Sequence, residues 1–302
     1  MSTHQTAKTQ YLSIPSGSTL AYRRLGTGSP GTPLLILTHF RGVMDLFDPL
    51  LLNTLAATRS IITVDYSGVG LSTGPVATSV HQSADNILSF LSLLGDVTEI
   101  DVLGFSLGGM VAQLVALNAD PNLLRVRKLI VAGSTPSAGE GILATPNDDV
   151  ATWAGGKDIT VDAFLTLFFP KTREGDAAGR QWWARIHERS VATSGEEPAT
   201  WLSAGYLDGG AGLQAQVAQV SAWGNPGAST GLEGSFERLV ELKIPVFVAN
   251  GHDDYMIPTS NSFVMQQKLP NGQLVVYPKS GHGFLFQYAA LFAKHALLFL
   301  EA

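Results

Sequence analysis

The chain contains no cysteine. This absence excludes disulfides, cysteine nucleophiles and metal sites built from thiolates. Charged residues are also few, at 15% of the 302 residues, and the formal net charge is −6. Because binding to phosphates needs clustered Lys and Arg, and no such run is present, we expect no nucleic-acid partner.

Long apolar runs are missing as well. No stretch approaches the roughly 18 consecutive apolar residues of a membrane-spanning helix. The first ten residues are polar and contain no apolar segment of the kind found in secretory signals. We therefore expect a cytoplasmic protein that does not associate with membranes. We also expect it to be either a monomer or a homodimer.

Apolar residues, by contrast, make up 45% of the chain, which predicts a folded protein with a large core. Short apolar runs of strand length occur at residues 34–38, 61–64, 100–103 and 129–131, after two β-rich segments at 9–14 and 19–24. Helical spacing of apolar residues follows at 79–94 and 107–118. Unbroken apolar strands that alternate with helices predict a mostly parallel, doubly wound sheet.

This alternation stops after Gly133. Residues 136–236 are rich in Gly and Ala turns, predict no strand and contain all five tryptophans. Strand and helix patterns resume at residues 245–249, 260–269, 273–277 and 288–300. We interpret the chain as an eight-stranded α/β core, residues 1–135 and 237–302, with a helical cap, residues 136–236, inserted after the sixth strand.

The segment Gly104-Phe105-Ser106-Leu107-Gly108 joins a predicted strand to a predicted helix. It matches G-x-S-x-G in the strand–turn–helix context of a nucleophile elbow. Bulky side chains two residues on either side of such a sharp turn would collide with the strand and the helix, and glycine removes them. We therefore predict Ser106 as a nucleophile. The alternative is that small residues only allow the strand and helix to pack closely.

A serine nucleophile needs a base, and the base needs an acid that orients it. His282 lies in a glycine-flanked loop directly after the last predicted strand, at the sheet edge where ligands bind. Asp253 and Asp254 follow the strand at 245–249 and lie at the same edge. The order Ser, Asp, His is the one expected with this elbow. The position of the residues leaves both carboxylates open, and a purely structural His282 is the alternative.

Four motifs occur in a fixed order along the chain: Thr38-His39-Phe40-Arg41-Gly42, then Asp65-Tyr66-Ser67-Gly68-Val69-Gly70-Leu71-Ser72, the Ser106 elbow, and the Asp254/His282 pair. Together they resemble the α/β-hydrolase superfamily over nearly the whole chain. The resemblance implies the α/β-hydrolase fold. It also favours Asp254 as the acid, since the family's acid usually lies three residues after a glycine and four before a proline, here Gly251 and Pro258.

The resemblance also implies an oxyanion hole, the pair of N–H groups that binds the negative oxygen of the reacting carbonyl. Leu107 supplies one N–H group, because it follows the nucleophile at the elbow. The other comes from Phe40 or Arg41, since Phe40 stands where relatives usually have glycine. His39 is expected to be structural.

A serine at the elbow disfavours epoxide hydrolases and haloalkane dehalogenases, whose nucleophile is aspartate. The resemblance implies a serine hydrolase that cleaves a carboxylic ester or lactone of a small, largely apolar molecule, with no metal and no organic cofactor. Perhydrolases of this superfamily use a similar triad. The alternatives left open are a carbon–carbon bond hydrolase of β-diketone-like substrates and a small-molecule receptor that retains the triad.

The aromatic residues of the predicted cap are the candidates for an apolar substrate pocket, namely Phe164, Phe168, Phe169, Trp182, Trp183, Trp201 and Tyr206. We expect two or three of these at most to touch substrate, and we predict contacts from Phe168 and Trp183, together with Phe284 after the last strand. The alternative is that such rings only fasten the cap helices to the core. Arg185 and Arg189, spaced four residues apart, are expected on a solvated helix face rather than in a clamp for a substrate carboxylate.

Overall fold

Eight strands form one sheet in the computed structural model, which describes residues 2–26, 31–145 and 148–302. In chain order they are β1 Gln10–Ser13, β2 Thr19–Leu25, β3 Leu34–Leu37, β4 Ile61–Val64, β5 Glu99–Phe105, β6 Arg125–Ala132, β7 Val246–Gly251 and β8 Gly272–Tyr277. The order across the sheet is β1-β2-β4-β3-β5-β6-β7-β8. The first two pairings, β1 with β2 and β2 with β4, are antiparallel, and all others are parallel. The predicted mostly parallel, eight-stranded sheet is confirmed.

Burial explains why apolar and polar residues do not alternate along the central strands. Every residue of β3, β4 and β7 is buried, because helices cover both faces of the sheet. The edge strand β1, by contrast, is largely exposed.

Eleven α-helices lie within the described residues. They are α1 Pro49–Ala56, α2 Val80–Leu93, α3 Leu107–Asn118, α4 Asp148–Ala154, α5 Val161–Phe168, α6 Arg173–Ile186, α7 Val191–Ser194, α8 Ala211–Trp223, α9 Thr259–Lys268, α10 Phe284–Gln287 and α11 Ala289–Glu301. Several begin at a side chain that accepts a backbone N–H: Ser79 caps α2, Thr160 caps α5 and Thr172 caps α6. None of the helices that the structure describes is long and apolar enough to span a membrane.

Helices α4 to α8 all lie between β6 and β7, and the described residues of this interval contain no strand. We call residues 136–236 the cap segment. The last residue of its helix α5 lies next to the loop after β8, where the N–H of Gly283 donates to the carbonyl of Phe168 at 2.7 Å. The cap segment therefore contacts the carboxyl edge of the sheet.

A buried group of charged side chains connects the N-terminal residues, the sheet and the cap segment. The carboxylate of Asp45 is fully buried and forms ion pairs with Arg23 at 2.7 Å and Arg189 at 2.8 Å. Arg189 also pairs with Glu196 at 2.6 Å and donates to the carbonyl of His4 at 3.0 Å. These contacts tie residues distant in sequence into one folded unit.

The expectation that Arg185 and Arg189 lie on a solvated helix face is wrong. Arg189 is 3% exposed. Arg185 forms two hydrogen bonds to the buried carboxylate of Asp48, at 2.6 and 3.1 Å. Both arginines anchor the cap segment to the core through Asp45 and Asp48, which precede them by more than a hundred residues, so local spacing gave no indication of these partners.

The pH dependence of stability should contain a contribution from His4. Its ring is buried, with Nε2 3.0 Å from the carbonyl oxygen of Met44. Burial lowers the pKa of His4 from 6.5 to about 4, a shift that the Met44 carbonyl partly opposes. Because the unfolded chain binds this proton first, the stability contributed by neutral His4 is lost as the pH falls from about 6.5 towards 4.

Chemical denaturation of the wild type and a His4→Gln variant across this pH range tests the assignment. We expect the difference in unfolding free energy between the two proteins to change by on the order of 3 kcal/mol in favour of the variant as the pH falls. A difference that stays constant from pH 7 to pH 4 would contradict the buried, neutral His4.

Candidate active site

Ser106 forms the sharp turn between β5 and α3. Its backbone adopts φ 57 and ψ −120, a combination that few residues other than glycine adopt. Its carbonyl accepts hydrogen bonds from the N–H of Gly109 and the hydroxyl of Ser134, both at 2.8 Å, and these hold the turn in place. Strained backbone of this kind persists only where the surrounding structure stabilises it. Such residues are concentrated at functional sites.

Two glycines make the turn possible. A side chain on Gly104 would collide with the carbonyl of Gly108, and a side chain on Gly108 would collide with the carbonyl of Leu37 in β3. Close packing of strand and helix thus accounts for both glycines. It does not account for the positive φ of Ser106, which is the feature expected of a nucleophile.

His282 and Asp254 form a buried hydrogen-bonded pair. Nδ1 of His282 lies 2.7 Å from Oδ2 of Asp254, and both side chains are fully buried. The other carboxylate oxygen of Asp254 accepts the N–H groups of Met256 at 2.9 Å and Ile257 at 2.8 Å. Nε2 of His282 is buried, and within the described residues it has no hydrogen-bond partner. The carboxylate of Asp254 therefore orients the imidazole, and Nε2 remains available for a further hydrogen bond.

The structure places Asp253 away from this pair. Its carboxylate lies 2.8 Å from His252, and both side chains are 66% exposed. Of the two carboxylates that the sequence left open, Asp254 is thus the one that contacts His282.

The ring of Phe105 brings the elbow and the histidine together. Phe105 directly precedes Ser106, and its ring centroid is 4.9 Å from that of His282. Phe168 of α5 packs against both rings, with centroid distances of 5.1 Å to His282 and 5.8 Å to Phe105. Ser106, His282 and Asp254 are therefore brought to the same edge of the sheet.

The loop of residues 38–42 follows β3 at this edge, and we call it the oxyanion loop after the role that the sequence predicts for it. Its turn is closed by the N–H of Gly42, which donates to the carbonyl of His39 at 2.9 Å. The N–H of Arg41 donates to Oε1 of Gln216 at 2.7 Å. The N–H groups of Phe40 and Leu107, in contrast, donate to no acceptor in the described part of the chain. Two N–H groups near Ser106 are thus unoccupied, and that of Arg41 is not.

A cavity with about 470 Å³ of empty space, part of it open to solvent, adjoins Ser106. Its walls are mostly apolar and come from the oxyanion loop, the elbow, the cap segment and the loop after β7. The lining residues are His39, Phe40, Arg41, Ser106, Trp153, Ala154, Ile159, Ala163, Phe164, Leu167, Phe168, Trp201 and Met256. Across the described residues, no three His, Asp or Glu side chains come together as metal ligands would.

Of the three rings predicted to contact substrate, only Phe168 lines the cavity. Trp183 lies behind the wall, with ring centroids 5.6 Å from Phe164 and 6.5 Å from Trp201. Phe284 is fully buried and packs against Tyr277 and Phe292 on the far side of its short helix. The structure thus does not support substrate contacts from Trp183 or Phe284.

Sequence reasoning missed several lining residues. Trp153, Ile159 and Met256 line the cavity although no motif includes them. Met256 had one available signal, because it lies two residues after Asp254 in the loop that holds the acid. The others lie in the cap segment, where the order of the chain does not indicate which side chains face the sheet.

His39 lines the cavity and is held in its neutral form by burial. Burial lowers its pKa from 6.5 to about 4, nearby His282 lowers it further, and the carbonyl of Phe40 opposes the shift. The ring is packed among Phe105 and Phe168, with centroid distances of 5.5 and 5.4 Å. His39 is therefore neutral at neutral pH.

The sequence model of the alpha/beta hydrolase family matches residues 30–295, which include the elbow, the oxyanion loop and the His282–Asp254 pair. The chain belongs to the alpha/beta hydrolase family. The matched residues run from β3 into α11 and include the cap segment, whereas β1 and β2 precede them.

This alpha/beta hydrolase is similar to known proteins over nearly its full length. A solved alpha/beta hydrolase fold protein from Chitinophaga pinensis shares 31% identity over 99% of both chains, with a TM-score of 0.83. A pimeloyl-acyl-carrier protein methyl ester esterase of Pectobacterium atrosepticum is 27% identical over 91% of this chain and 97% of its own. A putative carbamate hydrolase of Azorhizobium caulinodans is 24% identical over 84% and 85%.

Matched substitutions of the two neighbouring carboxylates test the geometry of this alpha/beta hydrolase. Asp254→Asn should lower kcat for ester hydrolysis by about 10³- to 10⁴-fold, because the amide no longer holds the imidazole in the reactive tautomer. Asp253→Asn, at an exposed position one residue away, should leave kcat close to the wild-type value. Steady-state kinetics on a p-nitrophenyl ester measures both, and a larger loss in Asp253→Asn would assign the acid to the other residue.

Proposed function

We propose that the protein is a serine hydrolase that cleaves a carboxylic ester or lactone of a small, largely apolar molecule through an acyl-enzyme intermediate. The observation that carries the proposal is the combination of a strained Ser106 with the buried His282–Asp254 pair beside an apolar cavity. Serine, a base and an acid at one edge of the sheet are the groups that acyl transfer to water requires.

In the first step, His282 acts as the general base. Nε2 of His282 takes the proton of the Ser106 hydroxyl while its oxygen attacks the substrate carbonyl carbon. Asp254 keeps the proton of the ring on Nδ1 and stabilises the imidazolium that forms. The two backbone N–H groups that bind one oxygen of Asp254 keep the other oxygen directed at His282.

Negative charge then develops on the carbonyl oxygen. The unoccupied N–H groups of Leu107 and Phe40 are the donors we assign to it, since the N–H of Arg41 is held by Gln216. Leu107 also begins α3, whose N-terminus favours negative charge. Each such donor contributes about 3–4 kcal/mol to stabilisation of the transition state.

The tetrahedral intermediate collapses when His282 gives its proton to the leaving alkoxide. An alcohol departs, or the ring of a lactone opens, and the acyl group remains bonded to Ser106. His282 then removes a proton from water, the resulting hydroxide attacks the acyl carbon, and Ser106 recovers its proton as the acid leaves.

The lining of the cavity supports the proposal that the acyl group of the substrate is small and uncharged. Within the described lining, Arg41 is the one side chain with a charge, and its guanidinium donates to backbone carbonyls instead of facing a ligand. Phe164, Phe168 and Trp201 supply apolar area to the wall. The similarity to a protein named as a methyl ester esterase also supports ester cleavage.

We further propose that residues 136–236 act as a cap over the site. Helices α4 and α5 and the residues after α7 contribute Trp153, Phe164, Phe168 and Trp201 to the cavity wall. Without the cap segment, Ser106 would face open solvent at the sheet edge, and its desolvated environment would be lost.

Hydrolysis of p-nitrophenyl esters of increasing acyl length, together with small lactones, tests the proposal. The wild type should turn over the shorter esters, and Ser106→Ala should lower kcat by about 10⁶-fold, to the detection limit of the assay. Ser92→Ala, an exposed serine on α2, is the matched control and should leave kcat unchanged. Undiminished activity in Ser106→Ala, or no hydrolysis of any ester or lactone by the wild type, would contradict the proposal.

A further inference from the structure

The guanidinium of Arg41 is buried and donates to four backbone carbonyls of the cap segment. Nε donates to Leu202 at 2.8 Å, and Nη2 donates to Ser203 at 3.0 Å. Nη1 donates to both Gly156 at 2.7 Å and Ala154 at 3.1 Å. Arg41 itself is 4% exposed. One side chain of the oxyanion loop thus holds two separate stretches of the cap segment.

The backbone of Arg41 is held by the cap segment as well. Its N–H donates to Gln216 of α8 at 2.7 Å, and its carbonyl accepts the N–H of Leu202 at 3.0 Å. The residue has φ 61, which is unfavourable for a side chain as large as arginine. These contacts hold a backbone conformation that the residue would not otherwise favour.

Carbonyl oxygens are an unusual set of partners for a buried arginine. Among the described residues, no carboxylate forms an ion pair with Arg41. Burial lowers the pKa of its guanidinium, and Tyr206 and Asp208 oppose the shift. A buried guanidinium is costly unless its N–H groups are satisfied, and the planar fork of arginine can reach several acceptors at once. The presence of a buried guanidinium despite this free-energy cost indicates that these carbonyls must be held in this arrangement.

The stretches that Arg41 holds are also walls of the cavity. Trp153 and Ala154 end α4 next to one pair of acceptors, and Trp201 directly precedes Leu202. Phe40, whose N–H is assigned to the oxyanion hole, directly precedes Arg41. The same residue therefore lies between the cavity wall and the oxyanion donor.

We propose that Arg41 is a positioning residue that locks the cap segment onto the oxyanion loop, so that closure of the cavity and correct placement of the Phe40 N–H depend on each other. The inference rests on the proposed function, since it concerns the donor that would bind the oxyanion. It also assigns Arg41 no role in binding a substrate carboxylate, because its N–H groups are already occupied.

A general anchor of the cap segment is the alternative role, and Arg185 provides the matched comparison. Arg185 on α6 also bridges the cap segment and the core, through Asp48 and the carbonyl of Phe286. Neither partner belongs to the oxyanion loop. Loss of Arg185 therefore weakens cap anchoring without acting directly on the Phe40 N–H.

The test compares Arg41→Met and Arg185→Met with the wild type. A short p-nitrophenyl ester gives kcat and KM, and a trifluoromethyl ketone gives the affinity for a tetrahedral adduct, whose oxyanion needs the two N–H donors. Arg41→Met should lower kcat about 10- to 100-fold and lower the affinity for the ketone by a similar factor, with little change in KM. Arg185→Met should leave kcat and ketone affinity near wild type. Equal effects in the two variants, or a change in KM alone, would overturn the proposal.

Two further variants separate positioning from folding. Arg41→Lys keeps the charge but cannot span the four carbonyls, so it should restore kcat only in part. Gln216→Met is close in shape, leaves the N–H of Arg41 without its acceptor and keeps the arginine. Gln216→Met should lower the affinity for the ketone and lower kcat in the same proportion. This variant keeps the test available even if Arg41→Met does not fold. Unchanged kcat and ketone affinity in Gln216→Met would contradict the coupling.

Hydrogen–deuterium exchange distinguishes failure of this inference from failure of the proposed function. The amides of Leu202 and Gly205 donate to the carbonyls of Arg41 and Lys157. Exchange in peptides covering residues 200–206 should be faster in Arg41→Met than in Arg185→Met, whether or not any ester is hydrolysed. If the wild type hydrolyses esters and this exchange does not change, the coupling alone is wrong. If the exchange changes and no ester is hydrolysed, the proposed function is wrong.

Discussion

The close approach of β5, β3 and α3 around Ser106 is the constraint on which the rest of the site depends. The backbone of α3 at Gly108 lies against the carbonyl of Leu37, so neither Gly108 nor Gly104 can carry a side chain. This packing holds Ser106 at a positive φ, a conformation that costs on the order of 1–3 kcal/mol. The serine then lies at the edge where the loops after β3, β7 and β8 converge, buried beneath the cap segment.

The cap segment is joined to this edge by buried polar contacts as well as by aromatic packing. Arg189 and Arg185 bind the carboxylates of Asp45 and Asp48, and Arg41 binds backbone carbonyls. Buried ionic groups specify one arrangement more than they add stability, because a charge left without its partner is costly. The position of the cavity wall is thus fixed by a few directional contacts, and its apolar surface determines what can enter.

Local patterns predicted the sheet and the elbow, because strand length, glycine spacing and the strand–turn–helix context are all short-range features. Residues whose roles depend on distant partners could not be predicted in this way. Arg185 has an acid nearby in the sequence, Glu188, but its carboxylate partner is Asp48, 137 positions away. The choice between Phe40 and Arg41 as oxyanion donor depends on Gln216, 175 positions from Arg41.

The helix α10 shows a second limit. It has four residues, too few for an apolar periodicity to indicate a face. Phe284 faces Tyr277, whereas Phe286, two positions later, joins the aromatic group around His39, Phe105 and Phe168.

Reaction with a fluorophosphonate, followed by peptide mass spectrometry, tests the central claim most directly. The account predicts one adduct per chain, on Ser106, that forms far more slowly in His282→Ala; an adduct on another residue, or an unchanged rate in that variant, would contradict it.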